Sequence, residues 1–237
     1  MDGVVTDTAE AHAAAWKQLF DKYLAERARR RGENFRPFDA RSDYYRHVDG
    51  KPRYDGVASF LRSRGISLPY GSADDPPDRE TVCGLGNQKD RYFAEWLEKN
   101  RVRAFPGTLA VIAALKRARV AIAVFSSSRN AEIILRSAGV LDLFDAKVDG
   151  DDLIRQRLPG KPHPAMLLEA AARRAVRPER AAVIEDAIAG VEAGVRGGFG
   201  LVIGIDRGGN ADGLRQAGAD IVVRDLSDIA HGNAGSV

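Results

Sequence analysis

Cysteine is nearly absent: the 237 residues include one, Cys83. A lone thiol excludes an intrachain disulfide and any zinc cluster built on cysteines, and it points away from secretion. No apolar run approaches the roughly 18 residues of a membrane-spanning helix, and no charged-then-apolar leader opens the chain. The expected compartment is therefore the cytoplasm, with no membrane partner. Excess charge is also scarce. The formal net charge is +3, and although the pI is about 9.1, so small an excess makes no extended basic field. The densest basic cluster, Arg27 with Arg29, Arg30 and Arg31, closes a helix-like stretch, where cations are ordinary. A nucleic-acid partner is accordingly not expected. Internal repeats and low-complexity tracts are missing too, and 44% hydrophobic with 29% charged residues describes a folded globular chain.

Apolar periodicity predicts a helix over residues 9–31, with Trp16, Leu19, Phe20, Tyr23 and Leu24 on one face. A polar loop over 32–53, a short helix carrying Val57, Phe60 and Leu61, a Gly/Pro/Asp-rich loop over 65–78 and a helix over 79–99 follow. The first hundred residues thus read as helical. Composition changes at Phe105-Pro106-Gly107. Beyond it, helices near 108–119, 130 onward, 164–174 and 187–194 alternate with β-rich runs at 120–125, 144–148, 181–184, 201–205 and 221–223. That alternation predicts an α/β fold, a parallel sheet covered on both faces. Residues 231–237 read as a polar tail.

In such a sheet ligands gather at the carboxyl ends of the strands. The residues there are Ser126-Ser127-Ser128-Arg129-Asn130, then Lys161-Pro162, then Glu185-Asp186. A strand running into two carboxylates suits a hard cation such as Mg²⁺, which takes one or two carboxylates completed by water and phosphate. Hydroxyls and successive backbone N–H groups at a strand-to-helix turn suit a phosphate, and Pro162 favours an extended Lys161 that could reach the same group. Each signal also has an ordinary structural use: Asp186 and the serines as helix N-caps, Lys161 as a solvated loop residue. Their shared edge is what favours chemistry.

The opening Asp2-Gly3-Val4-Val5-Thr6-Asp7-Thr8-Ala9-Glu10, with His12 and Trp16 following, resembles the haloacid dehalogenase superfamily, whose signature is Asp-x-Asp-Gly-Val/Thr, and looks like its β-phosphoglucomutase branch. The later motifs follow in the family's order over nearly the whole chain. The resemblance implies a doubly wound, Rossmann-like parallel-sheet core (residues 1–8 and 105–237) with an inserted α-helical cap domain (9–104). It implies that Asp2 is the general acid/base and lends its carbonyl to Mg²⁺, that Asp186 ligates the metal with Glu185 beside it, and that Ser126, the Ser127 N–H and Lys161 bind the transferring phosphoryl group. Thr8, Ser128, Arg129 and Asn130 are implied at substrate phosphate, and Arg53, in Val48-Asp49-Gly50-Lys51-Pro52-Arg53, is implied to grip a second one. His12 matches a histidine that restrains the acid/base aspartate. Lys89 lies about one residue out of register with a substrate-facing cap lysine and receives no role.

Two departures matter. Asp49 stands where many relatives have lysine. The nucleophilic aspartate would lie two residues before Asp2, where the chain has no residue, and the apolar first strand is missing with it. Either Met1 is the "x" of the signature, mistaken for a start, or the chain is truncated and inactive. The implied activity is a phosphosugar mutase converting β-glucose 1-phosphate to glucose 6-phosphate through an aspartyl-phosphate and a bisphosphate. The alternatives are a sugar-phosphate phosphatase and a non-catalytic phosphosugar-binding protein. A small-molecule phosphosugar is the expected partner, and the chain is expected to be a monomer.

Overall fold

The computed structural model describes residues 1–49 and 51–230, so the tail expected at 231–237 lies outside the described residues. The chain divides into two compact units: Met1–Thr8 with the chain from Val102 onward, and Ala9–Arg101 between them.

The inserted unit is built on three helices, α1 (Ala9–Arg31), α2 (Arg53–Ser63) and α3 (Val82–Lys99). α1 buries Ala11, Ala15, Trp16, Leu19, Phe20, Tyr23 and Leu24, the i, i+4 stripe that its sequence spells out. It runs antiparallel to α3: His12 stacks on Phe93 at 4.3 Å, the Lys89 ammonium lies 5.4 Å from the Trp16 ring, and Tyr23 reaches Glu80 at 3.1 Å. The stretch expected to be a polar loop after α1 is not wholly polar in use. It holds a single wide turn of helix (Tyr44–Val48) and inserts Phe38, 1% exposed, against Phe20 and Phe60 with ring centroids 5.2 and 5.0 Å away. The Phe38 amide and carbonyl are satisfied by Asp21 and Lys17 of α1, which is how a loop segment enters an apolar core. The helix expected from residue 79 starts at Val82, because Thr81 caps it by accepting from the Gly84 N–H at 3.0 Å.

The other unit begins with β1 (Thr6–Asp7), which pairs antiparallel with β2 (Arg103–Ala104) in a two-residue ribbon. After α4 (Pro106–Arg117) come β3 (Ala123–Phe125), α5 (Ala131–Ser137), β4 (Ala146–Val148), α6 (Gly150–Gln156), α7 (Ala165–Ala172), β5 (Ala182–Glu185), α8 (Ile188–Arg196), β6 (Leu201–Ile205), α9 (Ala211–Gln216), β7 (Ile221–Val223) and α10 (Ser227–Ala230). The strands are parallel, but they form two sheets rather than the expected one: β3–β4, and β5–β6–β7. Among the described residues no strand hydrogen-bonds to both β3 and β5. A shared core holds the sheets together instead. Met166, Leu167 and Ala170 of α7 pack on Val148 of β4 and Val183 of β5. β3 is shorter than the 120–125 run because Val120 is spent on closing α4. Its N–H donates to the Leu115 carbonyl behind a left-handed Arg119, and its side chain is 48% exposed.

Candidate active site

The carboxyl ends of β3 and β5 and the turn at residues 2–6 carry Ser126, Glu185, Asp186 and Asp2, whereas Lys161, expected at a strand end, lies in the loop between α6 and α7. Gly3 makes that turn at φ +67°, and a Cβ there would fall 1.7 Å from the Asp186 Oδ2, so only glycine lets this backbone lie against Asp186. Three more contacts hold the turn. Thr108 Oγ1 donates to the Val4 carbonyl at 2.6 Å, Arg207 Nε donates to the Gly3 carbonyl at 3.0 Å, and the Arg207 guanidinium lies 3.8 Å from the Phe105 ring. Asp2 is thereby placed with Thr8 Oγ1 donating to its Oδ1 at 2.5 Å and Ser126 Oγ donating to its Oδ2 at 3.4 Å.

The serine loop is folded by its own hydroxyls: Ser126 Oγ accepts from the Ser128 N–H at 3.2 Å and Ser128 Oγ from the Asn130 N–H at 3.1 Å. Neither is a helix cap. α5 begins behind Asn130, which makes no side-chain cap bond. The loop also rests on the first turn of α6, where a Cβ on Gly150 would meet the Ser127 carbonyl at 2.7 Å. Arg129, by contrast, is half exposed and bonded to Asp151 at 2.6 Å, so the structure brings it into no contact with the other predicted phosphate ligands.

Glu185 is 1% exposed. Its Oε1 is paired with the Lys161 ammonium, and its Oε2 accepts from the Asp186 and Ala187 N–H groups at 2.8 and 3.2 Å. Burial by itself would raise its pKa, but the Lys161 charge, the amino-terminal charge and hydrogen bonds from the Asp186 and Lys161 side chains hold it down at about 2. Burial would likewise lower the pKa of Lys161, and the neighbouring Glu185 carboxylate raises it instead. Asp186 goes the other way: burial and then the Glu185 charge push it well above the usual carboxylate range. Asp186 does not cap α8, whose N-cap is Ala187 without a side-chain bond. The Lys161–Pro162 peptide, expected only to be extended, is cis.

These donors fit a hard divalent cation. Asp2, Glu185 and Asp186 set three carboxylates around the Lys161 charge, and the glycine turn lets the backbone approach the Asp186 carboxylate more closely than any Cβ would allow. Glu185 has both oxygens committed, which places it behind Asp186 as support. Among the described residues no group of three or more His, Cys, Asp or Glu side chains could hold a metal. Ligation here would therefore draw on backbone carbonyl, water and phosphate, as Mg²⁺ sites do.

The remaining predicted residues belong to the inserted unit. His12 Nδ1 lies 3.0 Å from the Lys89 Nζ, which is 4% exposed and 4.5 Å from the Phe93 ring. Arg53, the first residue of α2, pairs with Asp90 and Tyr54. Asp90 and Arg207 carry no signal in the sequence, and Lys89 is named from it without a role.

A family model of haloacid dehalogenase-like hydrolases matches residues 1–198. A β-phosphoglucomutase of Mycobacterium bovis is 47% identical over 232 residues, covering 97% of this chain and 88% of that one. A phosphorylated carbohydrates phosphatase of Thermotoga maritima is 28% identical over 228 residues, covering 94% and 91%. The crystal structure of a β-phosphoglucomutase from Clostridium difficile, 24% identical, superposes with a TM-score of 0.75 over 96% of this chain and 89% of that one. With the acid-bearing glycine turn, the serine loop, the lysine and the acidic pair in the family's order, the chain belongs to the haloacid dehalogenase-like hydrolases, in the β-phosphoglucomutase-like branch.

Proposed function

We propose that this protein is a phosphosugar mutase that interconverts β-glucose 1-phosphate and glucose 6-phosphate. The observation that carries the reading is the setting of Asp2, held between Thr8 and Ser126 and joined through the Gly3 turn to Asp186. A carboxyl group fixed at both oxygens beside a phosphate-binding loop is equipped to take a proton from an attacking sugar hydroxyl and return it to a leaving one. Ser126, the Ser127 N–H and Lys161 spread the charge of the transferring phosphoryl group. Asp186 and the Asp2 carbonyl would hold Mg²⁺, which supplies charge neutralisation of the phosphoryl oxygens when bound. Glu185 keeps Lys161 and the start of α8 in place. Of the inserted unit, Arg53 is read as the grip on the second phosphate of the bisphosphate, and His12, at 3.0 Å from Lys89, keeps the role that the resemblance implies. Exclusion of water from the bound sugar separates transfer from hydrolysis. The mechanism uses an aspartate two residues ahead of Asp2, so activity is measured on a form that carries it at the end of an apolar strand.

The second reading is a sugar-phosphate phosphatase, favoured by the Arg53–Asp90 pair, which leaves the second phosphate grip without net charge. Isomerisation of β-glucose 1-phosphate and release of phosphate, measured side by side on the extended form, decide between them. A mutase gives isomerisation well above release, and Arg53→Ala lowers isomerisation at least tenfold (on the order of the one or two charge-assisted hydrogen bonds lost). Release in excess, or an Arg53→Ala variant that isomerises normally, overturns the mutase reading.

A further inference from the structure

Arg53 is engaged on several sides within its own unit. One terminal nitrogen, Nη1, is ion-paired with Asp90 of α3. The other, Nη2, donates to the Tyr54 hydroxyl at 2.9 Å, and the guanidinium carbon lies 4.8 Å from the Tyr54 ring centroid. Tyr54 is itself fixed: its hydroxyl donates to Asn87 Oδ1 at 2.9 Å, and Asn87 Nδ2 donates to the carbonyls of Ala73 and Asp75 at 3.0 and 2.8 Å. The Arg53 side chain is 18% exposed and that of Asp90 is 28% exposed, so the pair is neither freely solvated nor sealed from a ligand.

An arginine binds phosphate best when its planar fork presents two N–H donors to two oxygens. Here a carboxylate, an anion with the same two-oxygen geometry, already takes part of that fork. Any incoming anion must displace it and then tolerate its charge nearby. A sugar carboxylate offers no more than Asp90 does, since it has one charge and two oxygens. A phosphate monoester dianion offers two charges and three oxygens.

We propose that Asp90 is a specificity-determining residue: an internal competitor for Arg53 that admits a dianionic phosphate group and rejects singly charged anions. The inference rests on the reading of Arg53 as the second-phosphate grip. Asp90 raises the threshold that a ligand must pass, at the expense of affinity, which is discrimination by a repulsive element rather than an added attraction.

The test is a titration of the 237-residue chain with inorganic phosphate and, separately, with acetate, followed by ¹H–¹⁵N NMR. The backbone amides of Arg53 and Tyr54 report this site, and those of Ser127 and Ser128 report the serine loop independently. In Asp90→Asn, which keeps the shape and removes the charge, phosphate binding at Arg53 is expected to tighten about tenfold, and acetate, silent in the parent, is expected to bind. Unchanged spectral dispersion and melting temperature establish that the variant is folded. Weaker or unchanged phosphate binding in Asp90→Asn would overturn the proposal, because Asp90 would then orient Arg53 or merely tie α2 to α3. Arg53→Ala separates the two levels of the argument. If it binds phosphate there as the parent does, the second-phosphate reading itself fails. If it loses binding while Asp90→Asn gains none, only the role of Asp90 fails.

Discussion

Tyr23 shows how one buried group can tie stability to pH. Its ring is 6% exposed, and its hydroxyl donates to Glu80, which also accepts from Arg30 at 3.1 Å. Burial, and then the Glu80 charge, push the phenol up to about 12. The folded state therefore holds this proton more tightly than the unfolded chain, whose phenol titrates near 10. The stability it contributes is complete below pH 10 and is lost as pH rises from 10 towards 12. With each pKa unit worth about 1.4 kcal/mol, and with partly exposed Glu80 and Arg30 screening the pair, an alkaline loss of about 1–2 kcal/mol is expected. Tyr23→Phe should flatten the fall in urea midpoint between pH 10 and 12, and an unchanged fall would show that other groups cause it. Individual residues also mark what could be read in advance. The places of Ser126, Glu185 and Asp186 were legible because strand ends collect chemistry, and that of Asp2 because it lies in the opening motif. Lys161, by contrast, follows no strand: it lies in the loop between α6 and α7 and joins the cluster by pairing with Glu185. Asp90 and Arg207 were not, because their partners are set by packing between segments distant in the chain and by no local pattern.

At the scale of elements, α3 depends on the residue that caps it. Thr81, 6% exposed, accepts from the Gly84 N–H at 3.0 Å and donates to Asp75 Oδ2 at 2.6 Å, and Asp75 is itself 5% exposed. Thr81→Ala removes a cap and leaves a buried carboxylate short of a donor, so a loss of roughly 2 kcal/mol is expected. Thr81→Ser should recover most of it. Equilibrium denaturation checks both, and equal losses in the two variants would assign the effect to packing of the threonine methyl. Three elements were read correctly to the residue: α1 at 9–31, β6 at 201–205 and β7 at 221–223. Two short helices were missed. α6 and α9, seven and six residues long, contain glycine and lack a full apolar period. α6 is instead held by a capping box between Asp149 and Asp152. The β1–β2 ribbon, two residues per strand, carries no pattern that a sequence could show.

The whole molecule has two cores of different construction. The inserted unit packs Phe20, Phe38 and Phe60 into one aromatic cluster, whereas the other unit spreads its strands over two parallel sheets bridged by α7. Both tryptophans of the chain, Trp16 and Trp96, belong to the inserted unit. Tryptophan fluorescence therefore follows that unit, while far-ultraviolet circular dichroism follows both. The split sheet is expected to melt first, so the fluorescence midpoint should lie above the dichroism midpoint. Coincident transitions would mean that the two units unfold as one cooperative body.

The antiparallel run of α1 along α3 has a kinetic meaning. Pairing His12 with Phe93, and Tyr23 with Glu80, brings the two ends of the insertion together before they enter the β1–β2 ribbon. In an unfolded chain, joining Thr6 to Ala104 means closing a loop of nearly a hundred residues, an entropy cost of about 4 kcal/mol. Once α1 lies on α3, the open chain left to close is only a few residues at each end, and about half of that cost is gone. The ribbon, and the turn that presents Asp2, are thus expected to form after α1 and α3 have packed. Loosening the α1–α3 contact should slow assembly of a turn that contains none of the altered residues.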